Sequence, residues 1–138
     1  GEDKEDKNLI MELLNWMQEN KADYTNTFIF LMDKTIKNPE TYNNKDFSLW
    51  KIKWMKRLTM FSNSHDKSMK LMHSTNPMII PRNHKIEEAL TLANNGDLIL
   101  FNKLIEIIKN PYLVKSDDLE FMSPAPHSDK KYQTFCGT

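Results

Sequence analysis

Residues 76–111 constrain the fold more than any other stretch of the chain, because local punctuation divides them into two helices joined by a short turn. The markers are Asn76-Pro77, Arg82-Asn83, Asn95-Gly96-Asp97 and Asn110-Pro111. Pro81 favours an extended residue before it and has no N–H to donate. Asn83 is a good N-cap, and Glu87 and Glu88 follow near the first turn, where the helix dipole favours negative charge. Ile86, Ala89, Leu90 and Ala93 fall at the spacing of one helical face. Gly96 suits the left-handed residue that closes a helix. Asp97 is then placed to cap a second helix, whose expected inner stripe is Leu98, Phe101, Leu104, Ile105 and Ile108. Asn110-Pro111 stops it. So short a connection makes the two helices antiparallel neighbours.

The rest of the chain reads as helical too. A first helix is expected from about Asn8 to Asn20, with Leu9, Ile10, Leu13, Leu14 and Met17 as a wide apolar face. Asp23 is a candidate cap for a second helix that turns Phe28, Leu31, Met32 and Ile36 inward, and Asn38-Pro39 breaks it. A third begins near Asp46. Its stripe of Phe47, Trp50, Trp54, Leu58 and Phe61 is the strongest helical signal present, and that period identifies a core face in preference to a ligand box. A short fourth helix fits Ser64 to His73, with Met69 and Met72 inside. No strand pattern or internal repeat is visible. The expected fold is all-α, about six helices with a C-terminal antiparallel helical hairpin. Residues 1–7 are expected to be a disordered or cleavage-derived N-terminus, 8–112 the helical domain, and 113–138 an irregular tail.

Composition narrows the function. The chain has 138 residues, 39% hydrophobic and 28% charged, which is ordinary for a soluble globular domain. Its net charge of zero, with a pI near 7.1, argues against a nucleic-acid binder, which would carry a basic stripe. No apolar run approaches the ~20 residues of a membrane helix, and no signal peptide is visible, so no membrane partner and a cytoplasmic location are expected. Only Arg57 and Arg82 among 19 basic residues are arginine. Lysine is the default cation here, so each arginine stands either where a forked donor is needed or by chance. Arg82 is expected to be buried and to clamp the 76–83 loop onto the hairpin. The alternative is that it reaches outward to a phosphate.

Chemistry-bearing constellations are sparse. His65, His73, His84 and His127 show no i, i+4 metal spacing and read as surface residues. Asp117 and Asp118 read as solvated acids. Asp23, Tyr24 and Thr25 read as a cap with packing residues. Cys136 is the single cysteine, so no internal disulfide or cysteine-based zinc site is available. Its reactivity follows exposure and thiolate fraction, with Lys130 and Lys131 nearby.

A family resemblance adds to this reading. Asn76-Pro77-x-x-Ile80-x-Arg82-Asn83, followed by Glu88-Ala89, Ala93, Gly96-Asp97 and Asn110-Pro111-Tyr112, resembles the C-terminal region of the selenoprotein O family of kinase-like protein adenylyltransferases. Asp23-Tyr24-Thr25 is similar to the family's Asp-Tyr-Thr motif, and Trp50, Trp54, Arg57 and Leu58 to its Trp-containing helix. Cys136 sits where the family carries cysteine or selenocysteine, which implies a redox role. Here it is followed by Gly137-Thr138 where two serines are commoner. The resemblance implies an enzyme that uses ATP and Mg2+ to transfer AMP to protein hydroxyls. Its glycine-rich loop, paired lysine and glutamate and Asp-Phe-Gly motif would lie N-terminal to this region. This chain carries none of these, so no catalytic, cofactor-binding or metal residue is assigned to it. The expected partner is the kinase-like catalytic region, in the same protein or on a separate chain. Self-association through an exposed apolar face is a further expectation. The alternative is a stand-alone, non-enzymatic helical interaction module.

Overall fold

Phe47 and Trp50 of the third helix lie at the centre of the packing. A computed structural model describes residues 4–32, 36, 38–61 and 65–125. Six α-helices follow in order: α1 Lys4–Glu19, α2 Tyr24–Leu31, α3 Lys45–Phe61, α4 His65–Thr75, α5 Asn83–Asn94 and α6 Ile99–Lys109. Short 3-10 helices cover Pro39–Tyr42 and Ser116–Met122. Among the described residues there is no strand, so the fold is all-α. None of these helices is long and apolar enough to cross a membrane.

From α3, Phe47 and Trp50 are buried in the core, and Trp54 packs at its edge. Phe47 lies 4.6 Å from the Trp16 ring of α1, and Trp50 stacks on Trp54 with centroids 5.9 Å apart. Each such pair contributes about 0.5–1.5 kcal/mol beyond area burial. Both core indoles are satisfied. Trp50 Nε1 donates to the Leu9 carbonyl at 2.8 Å, and Trp16 Nε1 to Asn44 Oδ1 at 3.2 Å. The same Asn44 oxygen accepts the N–H groups of Asp46 and Phe47, which caps α3. These contacts hold Phe47, Trp50 and Trp54 as a core face, while Leu58 is half-buried.

Two helix ends share one device. After α1, Lys21 is left-handed (φ 50°), Ala22 N–H donates to Met17 O and Lys21 N–H to Gln18 O. After α5, Gly96 is left-handed (φ 88°), Asp97 N–H donates to Leu92 O and Gly96 N–H to Ala93 O. Both are Schellman closures, which satisfy carbonyls the helix leaves open. The second lets α5 fold back on α6, and the two pack together as the expected hairpin.

Several expectations need correction. Helix α1 begins at Lys4, inside the segment expected to precede the domain, because Arg57 of α3 donates to Asp6 at 2.6 Å and Glu5 at 3.2 Å. Trp16, Leu13 and Met17 form its buried face, while Ile10 and Leu14 are exposed. Helix α4 buries no residue fully, so Met72 packs only at the core's edge and Met69 is half-exposed. In α6 the buried residues are Leu104 and Ile107, with Leu100 and Phe101 beside them, and Leu98, Ile105 and Ile108 face outward. The tail is not wholly irregular: its 3-10 helix buries Phe121 and Met122. Asp118, read as a solvated acid, is buried with Lys103 Nζ 3.5 Å away. Ser64, His127 and Cys136 lie outside the described residues.

Candidate functional site

Two of the family-like residues, Asp23 and Arg82, meet at one joint, built from the start of α2, the loop before α5 and the tail. Asp23 precedes α2 in an extended conformation, and its Oδ1 accepts the Asn26 N–H at 2.9 Å. It is the N-cap its residue type suggests. Arg82 reaches it from far along the chain. Nη1 donates to Asp23 Oδ2 at 2.6 Å, and Nη2 donates to Asp23 Oδ1 at 2.8 Å. Nη2 also donates to the Met122 carbonyl at 3.2 Å. The pair is a fork-on-fork ion pair with side chains only 12% and 18% exposed. Lysine carries its donors on one nitrogen and lacks the planar fork that spans both carboxylate oxygens.

The charge environment follows from this geometry. Burial pushes the Asp23 carboxyl up, but the Arg82 hydrogen bonds, the Asn26 N–H and the guanidinium charge outweigh it and hold it below the ordinary carboxylate range. Below the cap, Thr27 is fully buried. Its hydroxyl donates to the Asp23 carbonyl at 2.8 Å and lies 3.1 Å from the Tyr42 hydroxyl. Burial raises the Tyr42 pKa, with the Asp23 charge adding to it against the Thr27 hydrogen bond. His84 is pushed down by burial and by the Lys85 and Arg82 charges. Tyr24 itself is exposed, its ring 5.0 Å from that of Phe28.

The remaining motif residues serve the backbone around this joint. Asn76 ends α4: its N–H and its Nδ2 both donate to the Met72 carbonyl, at 2.8 and 3.0 Å. After Pro77, the N–H groups of Met78 and Ile79 both donate to the Pro111 carbonyl. The loop is thereby tied to the chain just past α6. Asn83 is not the cap of α5. Arg82 holds that position, its carbonyl accepting from Lys85 and Ile86, and Asn83 is the first helical residue. Asp97 caps α6 from one residue further out than expected, its Oδ1 accepting the Ile99 N–H at 2.9 Å. Arg57, remote from the joint, ties α3 to the start of α1.

The tail is fastened to the hairpin by residues that sequence reasoning did not single out. Phe121 is buried beneath two lysines, Lys85 at 5.8 Å and Lys103 at 5.3 Å from its ring. Lys85 also pairs with Glu88 at 2.9 Å and with Glu120 at 3.7 Å, and those bonds and charges raise its pKa against the cost of burial. The adjacent apolar pair Phe121-Met122 was the available signal. Among the described residues no three His, Cys, Asp or Glu side chains are grouped to hold a metal. Most of the joint's polar groups are turned on one another, so its chemistry is chiefly that of a fastener, although Arg82 Nε, Asn26 Oδ1 and Ser123 Oγ are buried without a hydrogen-bond partner among the described residues.

A family model described as Protein adenylyltransferase SelO matches residues 1–109. A Protein nucleotidyltransferase YdiU from Pelagibacter ubique (strain HTCC1062) is 81% identical over 138 residues, covering 100% of this chain and 29% of that protein. The Protein nucleotidyltransferase YdiU of Bacillus mycoides (strain KBAB4) is 40% identical over 137 residues, 99% of this chain and 28% of that protein. The one from Nitrosococcus oceani is 40% identical over 139 residues, again 28% of its length. The chain therefore spans less than a third of the length of these relatives.

Proposed function

The chain belongs to the protein adenylyltransferase SelO family, and from that premise we propose that it is the helical accessory region at the C-terminal end of such an enzyme. The whole enzyme would transfer AMP from ATP to hydroxyl groups of protein side chains. In this reading the region braces a kinase-like catalytic portion and presents the tail that carries Cys136 as a redox residue. It does not catalyse alone, and its location is cytoplasmic. The observation that carries the reading is the use made of the family-like residues. Asp23, Arg82, Asn76 and Gly96 are engaged in fastening segments of this domain to each other.

ATP and Mg2+ would be held by the rest of the enzyme, because the described residues do not fit them. A phosphate cradle needs consecutive backbone N–H groups freed by glycine. The glycines stand at 1, 96 and 137, and Gly96 is spent on closing α5. Both arginines are already committed to carboxylates. The test is AMP transfer to a protein acceptor, followed with labelled ATP. The isolated chain should transfer none, and a full-length relative deleted for this region should lose activity. Transfer by the isolated chain, or full activity after the deletion, would overturn the proposal.

A further inference from the structure

Helix α6 carries apolar residues around more of its circumference than this domain covers. Seven of its eleven residues are Ile, Leu or Phe. The core takes Leu104 and Ile107 and, at its edge, Leu100 and Phe101. Ile105 and Ile108 remain exposed, and Leu98 and Tyr112, flanking the helix, are about half-exposed. The spacing of 98, 105 and 108 sets the first three of these side chains on one stripe. A helix apolar on nearly all sides is ordinarily covered on nearly all sides. On α1 the exposed Ile10, Met11 and Leu14 form a shorter run on a helix with nine polar or charged residues of sixteen, and on α3 Leu49, Ile52 and Met60 alternate with Lys53 and Lys56.

We propose that the stripe Leu98, Ile105 and Ile108, with Tyr112 just past the helix end, is the seat of the catalytic portion of the same polypeptide. This rests on the reading of the chain as an accessory region. The relatives carry more than twice as much sequence outside the matched segment as within it, since the match spans 28–29% of their length. That remainder supplies a body of the size needed. A second copy of the chain fits the stripe less well. Stable contacts between separate chains bury about 800 Å2 per partner, and four partly exposed side chains on three helical turns fall short of that. A covalently continuous body needs far less area, because its effective concentration is high.

Cysteine protection tests the seat. The protein used is the full-length Pelagibacter ubique relative with this 138-residue segment in place of its matching region and with Cys136→Ser. Ile105→Cys, Ile108→Cys and, as an exposed reference, Glu106→Cys are each labelled with a maleimide and followed by peptide mass. Coverage predicts labelling at 105 and 108 at least about tenfold slower than at 106, unchanged when the protein is diluted. Equal rates at all three positions would overturn the proposal. Protection that disappears on dilution would also overturn it, by giving the stripe to a second copy. AMP transfer after deletion of the segment reads the accessory role separately. Protection at 105 and 108 together with full transfer after deletion would keep the seat and remove that role.

Discussion

Replacing Arg82 by lysine preserves the charge and removes the fork, so it measures what the joint contributes. The arginine makes two bonds to Asp23, at 2.6 and 2.8 Å, and one to the Met122 carbonyl at 3.2 Å. A lysine ammonium at this site keeps one charged bond to Asp23. The second carboxylate bond and the bond to Met122 are lost, and Met122 is a buried residue. Leaving a buried group without its partner costs about 1–3 kcal/mol. For a domain of this size that lowers the melting midpoint by roughly 3–12 °C. Thermal and urea melts of Arg82→Lys against the parent chain read the loss. Repeating them in an Asp23→Ala background isolates the pair. There the lysine substitution should cost distinctly less, because only the Met122 bond remains to be lost. An unchanged midpoint in the first comparison, or an equal cost in both backgrounds, would refute the reasoning.

The joint also sets an acid response. Because the folded Asp23 pKa lies below its ordinary 3.8, its stabilisation is complete above that value and is lost as pH falls through the folded one. Melts taken downward from about pH 5 should therefore fall more steeply for the parent chain than for Asp23→Asn. Gly96→Ala should cost about 1 kcal/mol through backbone strain alone, since no atom lies within 4 Å of the added Cβ. Lys21→Gly, at the other left-handed position, should leave stability unchanged or raise it by up to about 1 kcal/mol, and urea midpoints check both. Phe121→Ala should cost about 3–5 kcal/mol where the fold stays two-state, and should make residues 113–125 markedly more sensitive to limited proteolysis.

Local chemistry was the legible part of this fold. Asp23 as a cap, Gly96 as a left-handed stop and the Phe47, Trp50 and Trp54 part of the α3 stripe each depend on residues a few positions apart, and the structure uses them in those ways. The scarcity of arginine picked out Arg82. Its partners were not readable, because Asp23 and Met122 lie 59 and 40 residues away and no local pattern joins them. The inner face of α6 was misread for a different reason. A helix apolar on most sides satisfies two stripes equally, and periodicity cannot say which one the domain's own core will take. Helix α1 posed the same problem, with Trp16 buried and Ile10 exposed. The tail's anchor, Phe121-Met122, is too short to carry a period. Asn83 lost the cap position by one residue, since Arg82, held extended after Pro81, already supplies the first carbonyl.

The account's central claim is that the family-like residues here fasten a supporting domain and do not touch nucleotide. The most direct measurement is the KM for ATP and the thermal inactivation midpoint of the full-length Pelagibacter ubique relative carrying this segment, with Arg82 intact and with Arg82→Ala. A structural joint predicts a lowered inactivation midpoint, with the KM for ATP at a permissive temperature unchanged within about twofold. A rise of tenfold or more in that KM, with the midpoint unmoved, would place Arg82 on the nucleotide phosphates and contradict the account.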